Sequence, residues 1–317
     1  MKKTGILTFH RAINYGAVLQ SYALQQTVAS LGADCEIVDY ICPRIVSDYK
    51  PFRIGKKNPL ADFVKSCIMF RRRANRAKAF QSFFNNCLVK SARSYTPETL
   101  TEAKKEYDVL ITGSDQVWSP NCVGFDPAYF LTFADSRQKY SYAASFAVTE
   151  LPKERVDEYK SRLKDFQAYS VREKSGEKLV KQLTGKTACT HPDPTLLLGK
   201  EAWSKIGVRK CDKPYILIFT ANPPVELVDY ACRLAKEKNL PVLTCGFSPT
   251  CSVTISGKND KGAVICFQRE IKLAEETVIE AGERVMSRKG CNDDCVLMLR
   301  AALGILLFGD SFFDSFV

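Results

Sequence analysis

Gly5-Ile6-Leu7-Thr8-Phe9, then Gly16 to Leu31, then Cys35-Glu36-Ile37-Val38-Asp39-Tyr40, is the stretch whose reading decides the fold. The first run is apolar and of strand length. In the second, Ala17, Tyr22, Leu24, Val28 and Leu31 fall at helical spacing, and the pattern stops at Gly32, a residue suited to a helix C-terminus. The third run is again a strand. Strand, helix and strand within some forty residues make a βαβ unit, which predicts a parallel sheet with a right-handed crossover.

The same alternation continues outward. Tyr107–Thr112, Lys139–Ala147 and Ala168–Val171 read as strands, and Lys153–Phe166 and Lys174–Leu183 as helices. Asp193-Pro194-Thr195-Leu196-Leu197-Leu198 closes this series before a short helix around Trp203. The polar stretch Gly207–Pro214 reads as a linker, after which the pattern restarts: Tyr215–Thr220 as strand, Pro224–Lys238 as helix, Pro241–Cys245 as strand. The expected fold class is α/β with two Rossmann-like domains. The first spans residues 1–206, and the second, shortened one spans residues 213–317, with a divergent tail from about residue 251.

Composition narrows the class. The 317 residues are 45% hydrophobic, 26% charged and 11% aromatic, which excludes a disordered, collagen-like or coiled-coil chain. No apolar run approaches the roughly 18 residues of a bilayer crossing. The N-terminus lacks the features of a secretory leader, so the chain is expected in the cytoplasm. The 13 cysteines are scattered; Cys291 and Cys295 come nearest to a ligand pair, and His10 and His191 are the two histidines. Reduced thiols, and no metal, are the expectation.

The net charge of +11 is concentrated in residues 41–106, where 15 Lys and Arg face 5 Asp and Glu. Within it, Leu60, Phe63, Val64, Cys67, Ile68, Ala77, Phe80, Phe83, Phe84 and Cys87 keep helical spacing. The basic residues around Arg71-Arg72-Arg73 then form the solvated side of an amphipathic helix or helix pair inserted in the first domain. An anionic glycan or a membrane surface is the alternative partner of this segment, and nucleic acid is not expected.

Ligands of open α/β sheets bind beyond the carboxyl ends of the strands, and several segments fall there. In His10–Gly16, Gly16 lets an anion approach the amides of a helix start; the competing reading is a turn capped by Asn14. No G-x-G-x-x-G is present, so a dinucleotide is not indicated. Gly113-Ser114-Asp115-Gln116-Val117-Trp118 offers a hydroxyl, a carboxylate, an amide and an indole to a sugar or carboxylate, against an Asx-type turn with Trp118 in the core. In Ser170-Val171-Arg172-Glu173, Arg172 suits a phosphate or carboxylate, or else pairs with Glu173 at the surface. His191-Pro192-Asp193-Pro194-Thr195 puts an acid on a proline-flanked turn, and Ser141–Phe146 adds Ser145.

These segments, in this order and starting from Leu7-Thr8-Phe9-His10 and Asn14-Tyr15-Gly16-Ala17-Val18-Leu19-Gln20, resemble the polysaccharide pyruvyl transferase family over about residues 3–200, with continuation to about 247. The resemblance implies a glycosyltransferase-B-like pair of domains. It also implies transfer of a pyruvyl group from phosphoenolpyruvate, the donor substrate, to sugar hydroxyls of a glycan as a ketal in surface-polysaccharide synthesis, with no cofactor. Substrate contacts are then expected from Asn14, Tyr15, Gly16, Gly113, Ser114, Gln116, Trp118, Ser145, Arg172, Glu173 and Asp193, with Asp115 or His10 as the base. One feature departs from the family: its members carry a Ser-Phe-His-Gly-like segment in the second domain, whereas no histidine follows His191 here. A truncated or non-catalytic family member that binds a glycan or partner is therefore one alternative. A nucleotide-sugar glycosyltransferase is the other, disfavoured because no Glu-rich ribose-binding signature is found.

Overall fold

The computed structural model of the protein describes residues 2–52, 59–207, 214–219 and 224–245. Four parallel strands organise the first part: β1 (Lys3–Leu7), β2 (Asp34–Ile37), β3 (Val109–Thr112) and β4 (Lys139–Ser141), in the order β2-β1-β3-β4. Two further strands, β5 (Ser170–Val171) and β6 (Cys189–Thr190), pair in parallel with each other. They follow on from β4 through parallel bridges between Tyr140 and Ala168 and between Ala144 and Val171. The expected parallel α/β sheet is present. The chain moves from β1 outward to β2 and then crosses back to β3, so the order reverses between β1 and β3, the position where such sheets open a crevice.

Helix α1 (Tyr15–Ser30) is the crossover between β1 and β2. The side chain of Asn14 caps it by accepting from the amide of Ala17, and no acidic residue stands in its first turn to offset the helix dipole. Gly32, one residue past the C-cap Leu31, takes φ +85, which explains why the helical pattern stops there. Gln25 bonds both the amide and the carbonyl of Val89, within the basic segment, next to the bridge between Lys90 and Ile37 of β2.

The basic insertion holds a short helix, α2 (Pro43–Asp48), and one continuous 29-residue helix, α3 (Pro59–Cys87), rather than a helix pair. At 1.5 Å per residue α3 spans about 44 Å. Its C-terminal part seats Phe80 and Phe84 in the core, whereas Phe63, Ile68 and Phe70 nearer the start are exposed. The apolar periodicity is thus continuous but the burial is not.

Two further expectations change. The strand read over Lys139–Ala147 ends at Ser141, because Ala143 and Ala147 adopt φ of 45 and 54 and leave the ladder. Asp193–Leu198 is a turn whose carboxylate Asp193 caps Pro194–Leu196, and the strand at this place is the short β6 before it. Helices α4 (Val156–Leu163), α5 (Lys174–Thr184) and α6 (Lys200–Ser204) complete this part. Beneath the sheet edge, Trp118, Phe130, Phe146, Tyr159 and Phe166 form an aromatic cluster within the largest core. Cys35, Cys42, Cys67, Cys87, Cys122, Cys189 and Cys232 are free thiols, and burial pushes that of Cys35 up to about 12.

The chain divides into two units, Met1–Gly207 and Val208–Val317. In the second, β7 (Ile216–Phe219), α7 (Val225–Lys238) and β8 (Val242–Cys245) form another parallel βαβ unit, with Ile216, Ile218, Ala231, Ala235 and Val242 in its core. The expected tail from about residue 251, and most of the expected linker, lie outside the described residues. Among the described residues no helix is long and apolar enough to cross a membrane.

Candidate active site

At the carboxyl edge of the sheet the loops after β1, β3, β4, β5 and β6 are bonded into one continuous line. Gln20 of α1 ties the first two: its amide nitrogen donates to Thr8 Oγ1 at 2.7 Å, and its oxygen accepts from the amide of Ser114 at 3.1 Å. The Thr8 hydroxyl in turn donates to the carbonyl of Ser114. Ser114 Oγ donates to the carbonyl of Ala143, and the amide of Ser145 donates to the carbonyl of Asp115 at 3.0 Å. The amide of Arg172 reaches the carbonyl of Ala144. Gly113 makes this closeness feasible, since a Cβ there would lie 2.3 Å from the carbonyl oxygen of Tyr142, at φ +110.

Four ionisable side chains gather on this line. Glu173 Oε1 accepts from Ser145 Oγ at 2.6 Å and from Arg172 Nε at 3.1 Å. Arg172 Nη1 donates to Asp193 Oδ2 at 3.3 Å, while the other Asp193 oxygen holds Thr195. Asp115, at φ 74 in the turn after β3, accepts from the amide of Gln116 at 2.8 Å. Burial raises its carboxyl above the ordinary value, against the pull of that amide and of Arg172, and the charge of Asp193 pushes the same way as burial. Burial works against the charge on Arg172, and the surrounding Glu173, Asp115 and Asp193 outweigh it. Tyr142 and His191 adjoin this group. Their rings stack at 5.7 Å, and His191 Nδ1 meets Ser170 Oγ at 2.8 Å.

A second cluster sits under the loop after β1. Each ring nitrogen of His10 faces an oxygen, Nδ1 the carbonyl of Thr8 at 3.0 Å and Nε2 the carboxylate of Asp39 at 3.2 Å, and the ring stacks on Phe84. The residue is 1% exposed. Arg11 holds Asp39 through two bonds of 2.6 and 2.7 Å, and Ser94 donates a third. Burial alone would raise Asp39, but these hydrogen bonds from His10, Arg11 and Ser94 keep it well below the usual carboxylate range.

The sequence-predicted residues therefore separate into groups. Ser114, Asp115, Ser145, Arg172, Glu173 and Asp193 share the bonded line, with Gly113 as its hinge and Gln116 beside it. Gln116 accepts the thiol of Cys122. Asn14, Tyr15 and Gly16 start α1 next to the line, Asn14 and Gly16 exposed and Tyr15 half-buried. Trp118 is not at the edge: it is 0% exposed, packed against Phe146 and Phe166, and its indole donates to the carbonyl of Tyr129. Sequence reasoning missed Arg11, Asp39 and Arg76. Arg76 donates to the carbonyl of Ile13 and lies over the rings of Tyr15 and Phe80, with its Nε buried and unbonded. The signal for it was available, because Arg76 precedes Phe80 and Phe84 by one and two turns, on the buried stripe of α3. Among the described residues no group of three or more His, Cys, Asp or Glu is arranged to hold a metal ion.

A family model described as polysaccharide pyruvyl transferase matches residues 14–267. No curated protein and no solved structure matches the chain.

Proposed function

The chain belongs to the polysaccharide pyruvyl transferase family, and on that premise we propose that it moves a pyruvyl group from phosphoenolpyruvate onto two hydroxyls of a glycan as a ketal, its two units being Rossmann-like halves of a glycosyltransferase-B-like protein. The chemistry divides into a proton added to the methylene carbon of the enol, attack of one sugar hydroxyl on the neighbouring carbon, and loss of phosphate as the second hydroxyl adds. The two hydroxyl protons end on the new methyl group and on the released phosphate.

The observation that carries this reading is the bonded line of Asp115, Ser145, Glu173, Arg172 and Asp193. Three carboxylates around one arginine suit a hydroxyl-rich acceptor better than a trianionic donor, since carboxylates accept from sugar hydroxyls and repel phosphate. Asp115 is assigned the base that takes the acceptor proton; burial raises it towards neutrality, as a base needs. Arg172, held by Glu173 through Nε and by Asp193 through Nη1, is assigned the positioning of those two carboxylates towards the acceptor. For the phosphate, the start of α1 at Tyr15 and Gly16 offers a dipole with no acidic residue in its first turn, with Arg76 beside it. His10 is assigned a positioning role through Asp39 and Arg11, because both its nitrogens are engaged inside the fold.

Incubation of the full chain with phosphoenolpyruvate and a glycan panel tests the proposal. Phosphate release matched by ketal in the mass spectrum is the expected result, and neither appearing on any glycan counts against it. The lack of a histidine after His191 favours a second reading, a family member that binds glycan without turnover. That reading predicts a thermal shift with sugar and none with phosphoenolpyruvate.

A further inference from the structure

We propose that the outer half of α3 docks the protein onto an anionic lipid surface. Phe63 is 47% exposed, Ile68 74% and Phe70 48%, three large apolar side chains within eight residues of one helix. Phe52, itself exposed, packs edge-on against Phe63 at 5.7 Å and extends the patch. By helical period Phe63 and Phe70 share one face, two turns apart, whereas Ile68 stands roughly 140° round the helix. A single exposed apolar residue needs no explanation, but a shared face with Phe52 packed on it does.

The charge around the patch selects its occupant. Helix α3 carries six Lys and Arg against the single acid Asp62. Arg73 and Arg76 are turned inward, to the carbonyls of Pro51 and Ile13, whereas Arg71 and Lys78 are exposed on the side that bears Phe63, Cys67 and Phe70. Aromatic and aliphatic groups flanked by cations match the boundary of an anionic bilayer, where rings enter the acyl region and cations meet headgroups. A second copy of the chain would set like charges against each other across a two-fold axis. Nucleic acid would use the cations and leave Phe63 and Phe70 in water.

The inner half of the same helix reaches the site. Phe84 stacks on His10, the Arg11 guanidinium lies 5.1 Å from the Phe84 ring, and Arg76 holds the carbonyl of Ile13. A lipid-borne acceptor held at the surface would therefore be presented along the helix that supports the loop after β1. The docking stands without any assumption about the reaction, and its readout needs no turnover.

Flotation of the full chain with vesicles tests it, using phosphatidylcholine alone and an equimolar mixture with phosphatidylglycerol. Binding to the anionic vesicles, weakened by salt and absent with phosphatidylcholine, is expected. Two variants confined to exposed side chains are compared after a melting check: Phe63→Ser with Ile68→Ser and Phe70→Ser, and Arg71→Glu with Lys78→Glu. Each is expected to weaken binding by roughly tenfold or more. Flotation with neither vesicle overturns the proposal, as does unchanged binding by the apolar triple variant. A dimer in solution that the triple variant dissociates also overturns it, because a second copy then covers the patch.

Discussion

Asp115 gives up much of its hydration on entering the left-handed turn after β3, and the cations and amides near it only partly compensate. Its folded value lies above the ordinary 3.8, so the folded chain holds the proton more tightly than the unfolded one. The ionised form consequently costs stability at neutral pH, and that cost disappears as pH falls through the folded value towards the unfolded one. Asp115→Asn is expected to raise the melting temperature at neutral pH, with the gain shrinking in mild acid, while pyruvyl transfer falls by about 10²-fold or more. Wild-type activity should also decline with falling pH earlier than for a solvent-exposed aspartate, read from a pH–rate profile. Asp39 has the opposite sign. Its folded value is depressed, so its contribution is present above the unfolded value and lost as pH falls towards the folded one. Asp39→Asn leaves Arg11 and His10 partly unpaired and should cost about 3 kcal/mol in a denaturant melt.

The elements were legible to different degrees. The β1-α1-β2 unit was readable because its signal is local: an apolar run, a 3.6 period and a stop at Gly32. The end of β4 was not, because the left-handed Ala143 is held by Ser114 and Ser170, which lie far away in sequence. The orientation of Trp118 was undecidable for a similar reason. An indole three residues past Asp115 serves a ligand or a core equally well until Phe146, Tyr159 and Phe166 arrive from later segments. The bonds of Asp39 to His10, Arg11 and Ser94 join residues up to 55 positions apart, which no spacing reveals. Gly113 is the element-scale hinge. Gly113→Ala is expected to cost roughly 2–4 kcal/mol, since both the positive φ and the contact with the Tyr142 carbonyl oppose a Cβ. Chemical denaturation reads the loss, and an unchanged midpoint would show that the loop gives way freely.

At the scale of the whole molecule, Met1–Gly207 carries its own sheet, its own aromatic core and the complete bonded line of edge loops. Expressed alone, residues 1–207 should fold and melt in one cooperative transition, with near-ultraviolet dichroism from the buried Trp118. A broad, non-cooperative melt would tie this unit's stability to the rest of the chain. The groups assigned to the acceptor all lie in this unit, so that fragment should respond to sugar in a thermal-shift titration.

Three of the ties between edge loops run through the main chain alone: Trp118 to Ser145, Ser145 to Asp115, Arg172 to Ala144. Amide-to-carbonyl bonds are indifferent to which side chain each position bears. A side chain such as that of Gln116, which makes none of these three ties, can therefore be exchanged without breaking them.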